Sequence, residues 1–585
     1  MTIEIRDAEP LDTTARLVTP ERVVFLYPLA GPFRRSIAYL IDMVVLVLLV
    51  ILGFLLSLLL TLGSIAGLGP GLAILFALVY GYGAFCEGFF NGQTPGKRLV
   101  GIRVMTTQGV PITGSQAAIR NLVGAVDGPI PFLFLPGLAS MLLTSRFQRL
   151  GDLAAGTMVV IEETKLGTKM PRVDEKALGG LLPLLPARVA AGPEMARALS
   201  DYVGHRSRFG GARREEIARH LARPLRARYA LPDSAPSDAV LCAFYHRLFL
   251  GGGPLRVVDR LAEREKGWRE LQILLFRLEG GRSSRVAPAD LLRLGELYRS
   301  ACADLMLADA HDLPRDTVAF LHSLVGRAHN AVYKTRGFRL ADWAGVVFDE
   351  VPRRLRSDPM LRVAALTFWG LLFLTGLLAA GRPGFAARVV GEKQIEALET
   401  MYDRPFDGAA RADRNDAVAT GFYIRHNAGI GLSCYAWGLA FGIGSLWTLA
   451  TNAIGIGSMF GHMATAPQAR NFFTFVTSHG PFELTAITFA GAAGLRLGSG
   501  LIVTAGMTRL DSLRREAARS LPIAGVSVIL FVLAAFLEGF VSASPLPYAA
   551  KAAIAILSTL ILAFYLFALG RKPRLSGLAG LRTED

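Results

Sequence analysis

Two hydropathy patterns alternate along this chain. Runs such as SIAYLIDMVVLVLLVILGFLLSLLLTLGSIAG from Ser36 and LRVAALTFWGLLFLTGLLAAG from Leu361 are almost unbroken, and each supplies the roughly 20 apolar residues a helix needs to cross a ~30 Å hydrocarbon core. Neither shows the polar face of a soluble surface helix. Comparable runs fall at about 71–90, 428–464, 483–506, 521–541 and 549–569. Residues 163–357 read differently: polar, with apolar positions at helical spacing. Leu291, Leu294, Tyr298 and Leu305 form one stripe, Val318, Leu321, Val325 and Val332 a second, and Trp268, Leu271, Leu275 and Phe276 a third. The Gly- and Pro-punctuated KALGGLLPLLPARVAAGPE opens this block, and Pro288 and Pro314 sit where helices start.

The pattern predicts a mainly α, polytopic α-helical membrane protein with a cytosolic helical domain between two membrane blocks. We place the boundaries at 1–162 for the first membrane block, 163–264 for a basic cytosolic linker and helical region, and 265–585 for the rest. Cytosolic helices occupy 265–357 of that last part and membrane helices 361–569. Residues 1–20 lack the basic cluster and apolar core of a secretory signal.

Composition agrees: 52% of the 585 residues are apolar and mean hydropathy is +0.40. The net charge of +16 changes the picture less than its size suggests. Over half of the Lys and Arg lie between 145 and 360, mixed with acids, as expected of a cytosolic domain obeying the positive-inside rule. The densest stretch, HRSRFGGARREEIARHLARPLRARYA, lacks the interleaved aromatics of a base-stacking surface. No nucleic acid is expected, and anionic lipid headgroups or an acidic partner suit it better. Cys86, Cys242, Cys302 and Cys434 are scattered, so no zinc site or disulfide framework is indicated.

Loop charges set a topology. Arg34 and Arg35 place the N-terminus inside, and Lys97, Arg98 and Arg103 bring the chain back after the second run. The third run, about 122–143, carries Pro129, Pro131 and Pro136, which break helices, and is expected to bend back rather than cross. In the last block, two short crossings bent around Gly442 and Gly444 would divide 428–464. Six crossings then leave the basic segments TRLDSLRREAARS and RKPR inside, with both termini cytosolic in a bacterial inner membrane.

The segment EGFFNGQTPGKRLVGIRVMTTQG, residues 87–109, resembles a phosphate loop at first sight. A nucleotide loop needs four residues between its glycines and a Ser or Thr after the Lys. Here Gly92 and Gly96 enclose three, Lys97 is followed by Arg98, and a membrane helix precedes. The alternative is a membrane-surface turn in which Asn91-Gly92 reverse the chain, Pro95 stiffens it, Lys97 and Arg98 reach headgroups, and LVGIRVMTTQGVPIT forms a short hairpin.

With VTPERVVFLYPLAGPFRRSIAYLID before it and AAIRNLVGAVDG and RFQRLGDLAAGT after it, this stretch resembles the RDD family of small membrane domains over roughly 17–162. The resemblance carries the signature residues over to Arg35, Asp42 and Asp152, the last within the stretch Arg149-Leu-Gly-Asp152. Arg35 and Asp42 share a helix face about 10 Å apart along the axis, too far for a tight pair, so each should meet another partner. A charge at Asp42 costs about 2.5–3.5 kcal/mol on insertion scales. It is either tied to a basic residue such as Arg103 or Arg149, or serves an ion or proton site.

AHNAVYKTRGFRLADWAGVVFDEVPRRLR, RHNAGIGLSCYAWGLAFGIGSLWTLATNAIGIG and SHGPFELTAITFAGAAGLRLGSG together resemble the stage II sporulation protein M family over about 265–570, including a helical lead-in from Trp268. That resemblance implies a membrane member of a wall-remodelling machine whose cutting enzymes are other proteins. It also implies envelope proteins and a MoxR-type ATPase as partners.

Within that block His479 and Glu483 share helical spacing and form a candidate polar cluster for a metal or a proton relay. Gly480-Pro481, however, should interrupt the helix and leave Glu483 as a dipole-favoured first-turn acid. Arg496 sits mid-helix among Gly491, Gly494 and Gly498, with Glu538 as its expected partner. His322 and His329 are expected to pack or touch solvent. No catalytic constellation, cofactor site or committed metal site emerges, so an enzyme is not expected. The reading is a scaffold or assembly protein of the cell envelope. The alternative is an ion or solute transporter using Arg35, Asp42, Arg149, Asp152, Glu483, Arg496 and Glu538.

Overall fold

The computed structural model describes residues 14–124 apart from 20 and 22, then 135–162, scattered positions from 178 to 189, and 193–206. It further describes 209–250, 257–279, 287–310, 315–333, 340–404 and 416–571. The protein is mainly α. Among the described residues, six helices are long and apolar enough to cross a membrane: Pro32–Leu60, Ile65–Phe89, Pro359–Gly381, Gly480–Ile502, Arg509–Ser542 and Tyr548–Phe567. The apolar stretch after 428 is divided as its glycines suggested. A helix runs from Asp416 through a π-helical segment, Ile424–Ala428, to Trp437. A turn follows in which Phe441 and Gly442 take positive φ, and Ile443–Thr465 is the next helix. At 1.5 Å per residue that helix is about 34 Å long, a membrane's thickness.

The chain forms two compact units, one of Met1–Pro28, Gln108–Pro111 and Ile161–Thr335, the other of Leu29–Thr107, Ile112–Val160 and Arg336–Asp585. The hydropathy boundaries had put 14–28 with the first membrane block and 265–335 with the last. By contact, both fall in the first unit.

In that unit, Thr14–Val18 and Val24–Pro28 pair antiparallel, from Thr14 opposite Pro28 to Val18 opposite Val24. Glu21, at the hairpin's turn, accepts 2.9 Å bonds from the hydroxyls of Tyr298 and Tyr333. The Phe25 ring lies against His322 and His329. The helices Val257–Glu279, Pro288–Ala310 and Arg315–Val332 bury Trp268, Leu271, Leu275, Leu294, Tyr298, Leu305, Leu321 and Val325. Phe276, Leu291 and Val332, read from spacing as members of the same stripes, are exposed; Leu291 lies in the first turn of its helix and Val332 is the last residue of its own. Asp304 ties the first two helices, accepting from Trp268 Nε1 at 2.9 Å and Arg264 at 2.5 Å. A second cluster around Tyr202, Ala218, Leu241 and Phe244 unites the helices Pro193–His205, Gly211–Tyr229 and Ser237–Tyr245.

In the other unit, one apolar core joins both sequence-distant membrane parts. Ile119, Val123, Ala154 and Ala155 share it with Phe368, Tyr435, Phe489, Ala517 and Phe531. Ile102–Thr106 does not fold back on its own continuation as a hairpin; it pairs with Thr157–Ile161. Residues 125–134, including Pro129 and Pro131, lie outside the described residues. The flanking helices Gly114–Val123 and Leu135–Leu143 have ten and nine residues, each too short to cross a bilayer alone.

Candidate functional site

Two buried polar constellations stand out in the membrane unit, one near each resemblance. The first is built from the turn after Ile65–Phe89. Asn91 and Gly92 take positive φ and reverse the chain. Thr94 caps the short helix Pro95–Val100 by accepting from the Lys97 amide, with Pro95 in its first turn, where a missing N–H is harmless. Thr94 is therefore fixed in position, and its hydroxyl donates to Asp42 Oδ2 at 2.5 Å. Tyr82 Oη and the Gly96 amide donate to Asp42 Oδ1, both at 2.8 Å. The tie expected between Asp42 and Arg103 or Arg149 is replaced by these neutral donors. A glycine is required at 96: an added Cβ would lie 2.2 Å from the Ala38 carbonyl oxygen and 2.9 Å from the Asp42 carboxylate.

Lys97 does not reach for headgroups. Its ammonium pairs with Glu87, which also pairs with Arg120 and accepts from Asn121 at 3.1 Å. Arg120 Nε continues to Asp152 Oδ1 at 2.6 Å, and Arg35 donates to Asp152 Oδ2 at 2.6 Å. Arg35 also donates to the Phe147 carbonyl, so its partners lie across the fold rather than on its own helix. The remaining capacity of Asp152 goes to the Arg149 amide at 3.1 Å and the Thr157 hydroxyl at 3.2 Å. The result is a chain of alternating charges, Lys97–Glu87–Arg120–Asp152–Arg35.

Burial alone would raise the Asp152 carboxyl, but Arg35, Arg120 and Arg149 hold it far below the usual aspartate range. Burial dominates for Lys97, drawing its ammonium down to about 8 although Glu87 pulls the other way. For Arg120 burial is outweighed by Glu87 and Asp152, which raise it. Glu87 and Arg120 were missed in the sequence. Their signal was a Glu and an Arg inside otherwise apolar helical faces, where a lone charge is expensive.

The second constellation lies among the later helices. Arg496 pairs with Asp358 and, at 2.6 Å, with Glu516. It does not meet Glu538. Asp358 caps Pro359–Gly381 and Glu516 stands on the next helix, so one guanidinium joins three helices. A small residue makes the approach of the Glu516 helix feasible: a Cβ on Gly500 would sit 3.0 Å from Leu513 Cα and 3.2 Å from Glu516 Cβ.

Glu538 is instead gathered with His479 and Glu483. One ligand-type atom from each of these three lies within 4.8 Å of the others, and His479 Nε2 is 3.5 Å from Glu483 Oε2. Gly480 opens the helix Gly480–Ile502 with Pro481 in its first turn, so His479 stands outside it at the cap and Glu483 is the first-turn acid the sequence suggested. His479 Nδ1 lies 2.7 Å from Ser542 Oγ. His329 is buried with its Nδ1 2.9 Å from the Tyr298 hydroxyl, and His322 is 3.6 Å from Asp309.

Helices of this length, ion pairs buried among them and a common apolar core define a multi-pass α-helical membrane protein. Family models place it further: residues 29–156 match the RDD family and residues 363–543 the stage II sporulation protein M family. The chain thus joins an RDD-family segment to a stage II sporulation protein M-family segment. Residues 260–334, which overlap the helical lead-in expected from Trp268, match a separate domain family of unknown function. No curated protein matches the chain, and no solved structure does.

Proposed function

We propose that the protein is a scaffold or assembly component of the bacterial cell envelope, embedded in the cytoplasmic membrane with both termini cytosolic, and that it is not itself an enzyme. The observation that carries this reading is what the buried charges do. Arg35, Glu87, Lys97, Arg120 and Asp152 close on one another, and Arg496 closes on Asp358 and Glu516. Groups tied in this way hold helices and loops in register. The core shared by the RDD and stage II sporulation protein M segments favours a single rigid membrane body. The helical block of 161–335 then supplies the surface for a partner such as a MoxR-type ATPase, in a wall-remodelling setting.

Ion or small-solute transport is the rival reading. It draws on a cavity of about 630 Å³ lined by Tyr80, Arg425, His426, Ser433, Thr448 and Asn452.

Reconstituted vesicles separate the two. A scaffold gives no Na⁺, K⁺ or proton flux above empty vesicles, and site-specific crosslinking within 205–333 captures a MoxR-type ATPase. Flux that Asp42→Asn abolishes while the protein stays monodisperse would overturn the scaffold. Reporter fusions at 145, 400, 470 and 515 test the orientation, and an external signal at 515 would refute it.

A further inference from the structure

We propose that His479, Glu483 and Glu538 form a binding site for a divalent transition-metal ion of the zinc type. Three features converge on it. The donor set is an imidazole and two carboxylates, gathered within 4.8 Å. Zinc-type ions accept such mixed nitrogen and oxygen ligands at about 2.0–2.2 Å, which sets ligand atoms about 3.4 Å apart around a tetrahedral centre. Side-chain adjustments of about 1 Å would close the present spread. Magnesium and calcium prefer all-oxygen shells, so the histidine selects against them.

Burial points the same way. His479 and Glu538 are 5% and 7% exposed, so an ion held between them would be largely withdrawn from water.

The imidazole is also held as a ligand would be. Ser542 Oγ is 2.7 Å from His479 Nδ1 and 2.7 Å from Ser478 Oγ. With Nδ1–H donating to Ser542, the lone pair of Nε2 faces Glu483; a polar partner of this kind fixes the tautomer of metal-binding histidines. Lys551, fully buried nearby, is turned to the Ser542 carbonyl at 2.7 Å. Glu538 and Ser542 both lie on the π-helical segment Leu537–Ser542, a widening of the helix that re-aims side chains and recurs at functional sites. The metal would brace the start of Gly480–Ile502 against the end of Arg509–Ser542. The site leaves a fourth position for water and stands whether the chain assembles partners or moves solutes.

The full chain, purified in detergent and stripped with a chelator, tests this when reloaded with Zn²⁺, Co²⁺ or Mg²⁺ and assayed by elemental analysis. Wild type should retain stoichiometric Zn²⁺ and show visible Co²⁺ bands, with no retained Mg²⁺. Glu538→Gln and His479→Gln should abolish retention, and Ser542→Ala should weaken it about 10–100-fold, as for other residues that orient a ligand. Glu483→Gln, the most exposed of the three ligands, serves if another variant does not fold; a monodisperse Glu483→Gln protein must also lose Zn²⁺. Equal retention by wild type and a folded variant, or a wild type that binds no metal and only shares a proton among these groups, would overturn the site. Neither readout depends on flux or on a partner.

Discussion

Arg120 Nε and Asp152 Oδ1 are 2.6 Å apart, with side chains 1% and 0% exposed. One residue comes from the helix Gly114–Val123 and the other from Leu150–Ala155, so this ion pair fastens two short helices to one another, beside the bond from Gln116 Nε2 to the Ala155 carbonyl. Removing one member of a buried pair strands the other charge, at about 3–5 kcal/mol. Asp152→Asn and Arg120→Met should each lower the thermal midpoint in detergent sharply. A loss no larger than that of an exposed pair such as Arg213–Glu216 would mean the network is not structural.

Gly96→Ala drives a methyl group into the Ala38 carbonyl and the Asp42 carboxylate. The close contact is with backbone, so relief requires Pro95–Val100 to move, and a loss of about 1–3 kcal/mol is expected for such overpacking. Gly114→Ala, with nothing within 4 Å of the added carbon, is the control and should be close to neutral. Comparing folded yield and melting of the two variants checks the assignment.

Arg496 should couple to Glu516 and not to Glu538. A double-mutant cycle of Arg496→Met with Glu516→Gln should show an interaction of about 0.5–3 kcal/mol, while the same cycle with Glu538→Gln should be additive to within about 0.5 kcal/mol. Thermal unfolding of the purified variants reads both cycles; additivity with Glu516 would contradict the geometry.

The hairpin against the helical block should loosen in mild acid. Burial pushes His329 below its ordinary value, against the pull of Glu21. The unfolded imidazole takes up its proton near pH 6.5, while the folded one resists until lower pH. The unfolded state therefore holds more protons, and stability falls as pH drops below about 6.5. Burial would raise Glu21, yet hydrogen bonds from its own amide and from Tyr298 and Tyr333 lower it, so it stays ionised through this window. Hydrogen exchange of amides in 14–28 and 288–332, corrected for intrinsic rates, should quicken between pH 7.5 and 5.5. His329→Gln should flatten that dependence.

The membrane spans were legible because lipid leaves a helix no alternative to satisfying its own backbone, and that constraint is written as a length of apolar sequence. The signature residues Arg35, Asp42 and Asp152 were legible through resemblance, but their partners were not. Arg35 meets Asp152 across 117 positions of sequence, and nothing in local spacing records such a distance. Lys97 looked like a surface anchor because a Lys after a membrane helix commonly is one. Its burial follows from Glu87, one turn inside the preceding helix, whose charge demanded a partner.

The sequence by itself determined the class of protein, the apolar spans, the turn at Asn91-Gly92 and the two families joined in one chain, because each depends on neighbours in sequence. Only the tertiary structure decided that Glu538 belongs with His479 and Glu483, that Arg496 belongs with Asp358 and Glu516, and that the N-terminal hairpin belongs with the helical block. Those pairings depend on how helices cross and rotate, which packing of small residues sets and hydropathy does not encode. A buried charge announces that it needs a partner; the fold alone supplies which one.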